Sequence, residues 1–157
     1  MKKWIYLVLV LVLAGCEADF QTWKDLNTDW LAQNQVQYAT TDSLTVMPSE
    51  LQYKAFHTGY GAIPKPTDSY VQVTYTGSLV DGTVFDTGDQ TWLAVEDLIV
   101  GWQEALCMMP QGSHWKIYVP YTVAYGVDGS KLANGNFHIP PYSTLIFDVE
   151  LNDVINF

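Results

Sequence analysis

The sequence predicts an α+β domain: an antiparallel β half-barrel wrapped around one short α-helix, with an N-terminal helical extension. Three observations carry that prediction. Apolar residues alternate with polar ones at Val71, Val73 and Tyr75, and again at Trp115, Ile117 and Val119, the period of half-buried strands. Between them Leu98, Trp102 and Leu106 fall at i, i+4 and i+8, one side of a helix. Near the start Trp23, Leu26, Trp30 and Leu31 follow i, i+3, i+7 and i+8, a second helical stripe.

The elements follow in chain order. Lys2 and Lys3 precede an apolar run from Trp4 to Leu13, then Ala14-Gly15-Cys16. A short basic region, about ten apolar residues and a small-residue exit predict a secretory signal, not a membrane span of about twenty. Leu13-Ala14-Gly15-Cys16 is similar to a bacterial lipobox, so residues 1–15 are expected to be removed and Cys16 lipidated. Several acyl chains hold a membrane far more firmly than one. Residues 17–22 are polar and predict a flexible tether, the Trp23–Leu31 stripe a short helix, and residues 35–50 a linker. The compact domain is then residues 51–157, preceded by the anchor, helix and linker at 16–50.

Leu51, Tyr53, Ala55 and His57 alternate as a first strand, and Val71–Tyr75 as a second. Asp81-Gly82 predicts a tight turn between Leu79 and Val84-Phe85. A helix is expected from Asp97, as its N-cap, to Cys107. Trp115–Val119 is a strand stopped by Pro120, residues 121–138 read as a long loop with turns at Asp128-Gly129 and Asn134-Gly135, and Ser143–Val154 is the final strand.

Composition excludes several function classes. Seven basic against seventeen acidic residues give a net charge of −10, and loss of Lys2 and Lys3 would take it to about −12. Every basic residue is lysine. A nucleic-acid partner needs a basic footprint, and this is the opposite. The membrane contact expected is the lipid alone. With Cys16 lipidated, Cys107 is left without an internal disulfide partner, and its apolar surroundings predict a buried structural thiol. His57, His114 and His138 lack metal-ligand spacing, so neither metal nor cofactor is expected.

Four segments carry a more specific signal. They are Val73-Thr74-Tyr75-Thr76-Gly77-Ser78-Leu79-Val80-Asp81-Gly82-Thr83-Val84-Phe85-Asp86, Leu98-Ile99-Val100-Gly101-Trp102-Gln103-Glu104-Ala105-Leu106, Ala124-Tyr125-Gly126, and Ile139-Pro140-Pro141-Tyr142-Ser143-Thr144-Leu145-Ile146-Phe147 with the strand that continues to Leu151. In order and spacing they resemble the FKBP-type peptidyl-prolyl cis-trans isomerase family over roughly residues 51–155. The resemblance implies Trp102 as the floor of an apolar pocket and Tyr75, Phe85 and Phe147 as its walls. It implies backbone contacts to an extended ligand at Leu98 and Ile99, a phenol donor at Tyr125 and a flanking Ile139. Asp86 would sit at the rim, orienting Tyr75 or polarising the surroundings of the substrate carbonyl. The implied activity is prolyl isomerisation of unfolded or extended proline-containing chains, by a bacterial lipoprotein.

Two departures from the family pattern stand out. Only Thr87-Gly88-Asp89-Gln90-Thr91-Trp92-Leu93 follows Asp86, where a longer strand-and-bulge segment is usual and often carries a basic partner for the aspartate. The wall expected there falls on Trp92 or Leu93, and Trp92 is taken as the substrate-binding residue. In the flap His138 takes a usual apolar position. The shortened segment motivates an alternative, a catalytically weak proline-directed binding or chaperone lipoprotein. A third reading uses the fold only as a scaffold for contacts through the Trp23–Leu31 helix. A monomer is expected, exported and lipid-anchored to the bacterial envelope, with the outer membrane favoured and its face left open.

Overall fold

The structure, a computed structural model, describes the backbone of residues 2–38 and 43–157, with side chains from Phe20 onward. The apolar run and Cys16, on which signal and lipidation rest, therefore have side chains outside the described residues.

Helix α1 spans Lys2–Tyr38. The tether expected at 17–22 is instead helical. Glu17-Ala18-Asp19-Phe20-Gln21-Thr22 contains neither Gly nor Pro, so nothing there terminates a helix. The packed face also differs from the apolar stripe. Leu26 is half exposed, whereas Asn27 and Asn34 are buried beside partly buried Trp23, Trp30 and Leu31. Buried amides need partners, and these have them. The Asn27 oxygen accepts the Thr144 amide at 2.7 Å, and Asn34 Nδ2 donates to Gln52 Oε1 at 2.8 Å.

Strands β1 (Thr45–Val46), β2 (Gln52–His57), β3 (Ser69–Leu79), β4 (Val84–Ala94), β5 (His114–Val119) and β8 (Leu145–Asn156) form one antiparallel sheet in the order β1-β2-β5-β8-β3-β4. Strands β6 (Ser130–Lys131) and β7 (Phe137–Ile139) make a separate two-stranded ladder. The segment expected as a linker thus supplies an edge strand, and the expected long loop contains a short hairpin. Alternation in β2 is lost at its end: Ala55 and His57 are exposed, where a bulge shifts the register.

The short helix α2 spans Val100–Leu106 and is capped at Ile99, not Asp97. Asp97 closes a separate 3₁₀ turn, Val95–Asp97, and Leu98 and Ile99 then run extended. Gln103 Nε2 reaches back to the Leu98 carbonyl at 2.8 Å and the Glu96 carbonyl at 3.2 Å, holding that joint. Trp102, Ala105 and Leu106 pack into one core with Val71, Val73, Ile117, Val119 and Val149. The opposite face, at β2 and β5, is covered by α1: Gln52 and Tyr118 sit opposite each other, and Tyr118 meets Trp30 at 5.7 Å. Cys107 ends α2 only half-buried, against the expectation of full burial, with its thiol pKa pushed up by desolvation.

Candidate functional site

The β3–β4 connection sets the site's entrance. Gly82, at φ +88°, supplies the left-handed residue of the predicted turn, and the Asp81 carboxylate accepts the Thr83 amide at 2.9 Å. Just beyond it the β3–β4 register slips, leaving Phe85 as an extra residue between the pairs Ser78–Val84 and Gly77–Asp86. A second slip opposes Thr74 with Asp89 and Gln90, the latter at φ +45°. The segment after Asp86 thus stays within an unbroken β4 that carries this second bulge. Its register also decides between the two wall candidates. Leu93 pairs with buried Val71 and shares its inward face, whereas Trp92 pairs with Gln72 and points outward, 43% exposed. Trp92 does not line the site; Leu93 does.

A cavity of about 320 Å³ opens where β3, β4, α2 and the loop before β6 meet. Trp102, 4% exposed, touches Tyr75 at 5.2 Å and Phe147 at 5.1 Å, both ring pairs edge to face. Phe85 stands against Phe147 at 5.5 Å. Leu93, Leu98, Ile99 and Tyr125 complete the wall, with Asp86 and Asp97 beside them. Of the residues expected from sequence, Tyr75, Phe85, Asp86, Leu98, Ile99, Trp102, Tyr125 and Phe147 come together here. Ile139 does not line the cavity; it is buried in the core at 1% exposure. The residue before it, His138, is exposed and lies edge-to-face on Phe85 at 6.1 Å. Asp97, expected as a helix cap, is instead a lining residue of the cavity.

Asp86 accepts the Tyr75 hydroxyl at 2.8 Å and the Thr87 amide at 2.9 Å, so the aspartate is held without a basic partner. Burial first, then the Asp86 bond and charge and the Tyr125 hydroxyl, push the Tyr75 pKa up to about 12. Burial and then Asp86 also raise Tyr125. Among the described residues neither the Tyr125 hydroxyl nor the Ile99 amide has a hydrogen-bond partner, and both residues line the cavity.

A family model described as FKBP-type peptidyl-prolyl cis-trans isomerase matches residues 61–152. The chain belongs to this family. The FKBP-type 22 kDa peptidyl-prolyl cis-trans isomerase of Escherichia coli is 39% identical over 140 residues, covering 87% of this chain and 63% of that protein. The outer membrane protein MIP of Legionella longbeachae is 44% identical over 115 residues, covering 71% and 47%. The crystal structure of FkpA from Escherichia coli, 28% identical, superposes with a TM-score of 0.79 over 99% of this chain and 71% of that one. The chain therefore spans about half to two thirds of the length of these curated relatives. As an FKBP-type domain it has the α+β architecture expected from sequence, its N-terminal helix included.

Two of the raised phenols, Tyr75 and Tyr118, give a test of this geometry. Tyr118, buried and paired with Tyr38, is likewise pushed up to about 12. An unfolded phenol ionises near pH 10 and these native ones near 12, so the unfolded state loses its proton first. Their stabilisation is complete below pH 10 and is lost as pH rises through 12. Spectroscopic titration of the ten tyrosines should show late-ionising phenols, one of which disappears in Tyr75→Phe. A single native transition near pH 10 would contradict the Tyr75–Asp86 contact.

Proposed function

We propose that this chain is a prolyl isomerase acting on unfolded or extended proline-containing polypeptides. The apolar cavity with two unengaged donors at its edge carries the reading. An X–Pro bond turns over a barrier near 20 kcal/mol and does so unaided in tens to hundreds of seconds. No bond is made or broken, so nucleophile, metal and cofactor have no part in this scheme. The proline ring would rest on Trp102 between Tyr75, Phe85 and Phe147, away from water. Amide resonance separates charge, so a dry apolar site weakens the partial double bond that resists rotation. The Ile99 amide and the Tyr125 hydroxyl would then donate to substrate carbonyls, with the stronger interaction reserved for the twisted state. Asp86 fixes the Tyr75 ring as a wall through their hydrogen bond.

The alternative, a weakly catalytic binding or chaperone module, was motivated by the shortened segment after Asp86. Leu93 stands where that wall was in doubt, which favours turnover. The envelope placement is a further part of the proposal: residues 1–15 are a signal, Cys16 carries lipid, residues 16–50 lead to the domain at 51–157, and the protein is a monomer. Its support is the residue pattern from Lys2 to Cys16, together with a relative named an outer membrane protein.

Isomerisation kinetics of an Ala-Leu-Pro-Phe peptide test the activity. The full chain in mild detergent should accelerate the exchange, and Tyr125→Phe should lower kcat/KM about tenfold, the loss of one hydrogen bond made chiefly at the twisted state. Asp86→Ala should lower it by freeing Tyr75. A folded chain without acceleration would sink the isomerase reading and favour the binding module.

A further inference from the structure

We propose that α1 is a positioning element for the flap, residues 137–144, and through it for the pocket; the catalytic consequence rests on the isomerase reading above. Four side chains of α1 meet this flap in succession. The Phe20 ring lies edge-on to Phe137 at 5.5 Å, and Trp23 Nε1 donates to Ser143 Oγ at 3.0 Å. Lys24 Nζ sits 5.1 Å over the Tyr142 ring, and the Asn27 oxygen accepts the Thr144 amide. Positions i, i+3, i+4 and i+7 form one helix face, so a single docking makes all four contacts.

The flap needs that support. Among the described residues strand β7 pairs with β6 alone, in a ladder separate from the six-stranded sheet. Ser143 Oγ passes the Trp23 contact on to the Pro140 carbonyl at 2.8 Å. Asn27, 1% exposed, has its Nδ2 tied to the Trp23 carbonyl at 2.8 Å, which turns its oxygen to Thr144. On its other side the flap reaches the pocket twice. His138 lies on Phe85, and the Tyr142 amide donates at 3.0 Å to the carbonyl of Gly126, next to Tyr125. Thr144 leads directly into β8, which carries Phe147. Helix α1 thus holds one face of a segment whose other face holds the pocket's aromatic wall and phenol.

The full chain, its Phe20→Ala/Asn27→Ala variant and Phe20→Ala alone, which keeps the Asn27 acceptor for Thr144, would be compared by amide hydrogen exchange and by kcat and KM on the proline peptide. In the double variant, amides of 137–144 should exchange about tenfold faster while β3 and β8 keep their protection. KM should rise about fivefold with kcat within about twofold, because ground-state and transition-state binding are lost together. Phe20→Ala alone should show a smaller part of both effects. Unchanged exchange in the flap, or an equal rise in β3 and β8, would overturn the proposal, as would an unchanged KM in a chain that turns over. A wild type without turnover would sink the isomerase reading, while flap exchange would still judge the docking.

Discussion

Trp102→Ala should lower stability by about 3–5 kcal/mol, the range for truncating a buried tryptophan, and should abolish most turnover. The indole is 4% exposed and touches both Tyr75 and Phe147. Its removal leaves a cavity beneath the proline site and frees two walls at once. Misplacing a bound group by about 1 Å can cost about a hundredfold in rate, so kcat/KM should fall by at least that much. A second substitution separates floor from fold. Trp102 Nε1 is buried without a partner among the described residues, and an unmet donor costs about 1–3 kcal/mol. Trp102→Phe removes that donor together with part of the ring, so its stability loss should be much smaller than for alanine. Denaturant unfolding and peptide kinetics on the same samples check both. Trp102→Ala with wild-type kcat/KM would show that the indole is core and no floor.

How legible the fold was depended on what holds each element. Val71 and Val73, like Trp115, Ile117 and Val119, are inward residues of central strands, and burial on one face writes a period of two into the sequence. Strand β4 leaves no such trace. It is an edge strand held to β3 by backbone pairing, with most of its residues exposed, and its two register slips break whatever alternation remains. The choice between Trp92 and Leu93 was closed for the same reason: parity depends on counting the bulge at Asp89 and Gln90. Helix α1 misled differently. Two of the positions it buries are asparagines, chosen for hydrogen bonds that the sequence cannot display, while the apolar Leu26 faces out.

The site was more legible than the fold around it, but through resemblance more than periodicity. Aromatic residues at Tyr75, Phe85, Trp102 and Phe147 would pass as core by any pattern of burial. They gather on one cavity because Phe85 is the extra residue of a bulge and because Gly77 leaves room between rings. Neither cause is visible without the strand register. Asp97 illustrates the reverse error, since a good capping residue three positions before a helix was read as its cap. The chain instead stays extended through Leu98 and Ile99, which leaves the Ile99 amide without a partner among the described residues.

Gly77→Ala should damage the pocket as much as a wall mutation, although it only adds a methyl. Gly77 pairs with Phe147 on one side and Asp86 on the other. A Cβ there would lie 2.8 Å from Phe147 Cε1 and 2.8 Å from Phe85 Cζ, closer than real contacts allow. The clash involves ring atoms packed on Trp102 and on each other, so relief requires moving the two aromatic walls. Overpacking of this kind costs about 1–3 kcal/mol, and the displaced rings should raise KM together with it. Gly82→Ala is the control. Gly82 sits at φ +88° with open space around it, so alanine there meets backbone strain of about 1–2 kcal/mol and no pocket atom. The two variants should therefore unfold at similar denaturant concentrations and differ in kinetics, with only Gly77→Ala losing kcat/KM. Equal kinetics would mean that the Phe85–Phe147 contact does not shape the proline site, and the binding surface would have to be sought nearer Tyr125 and Leu93.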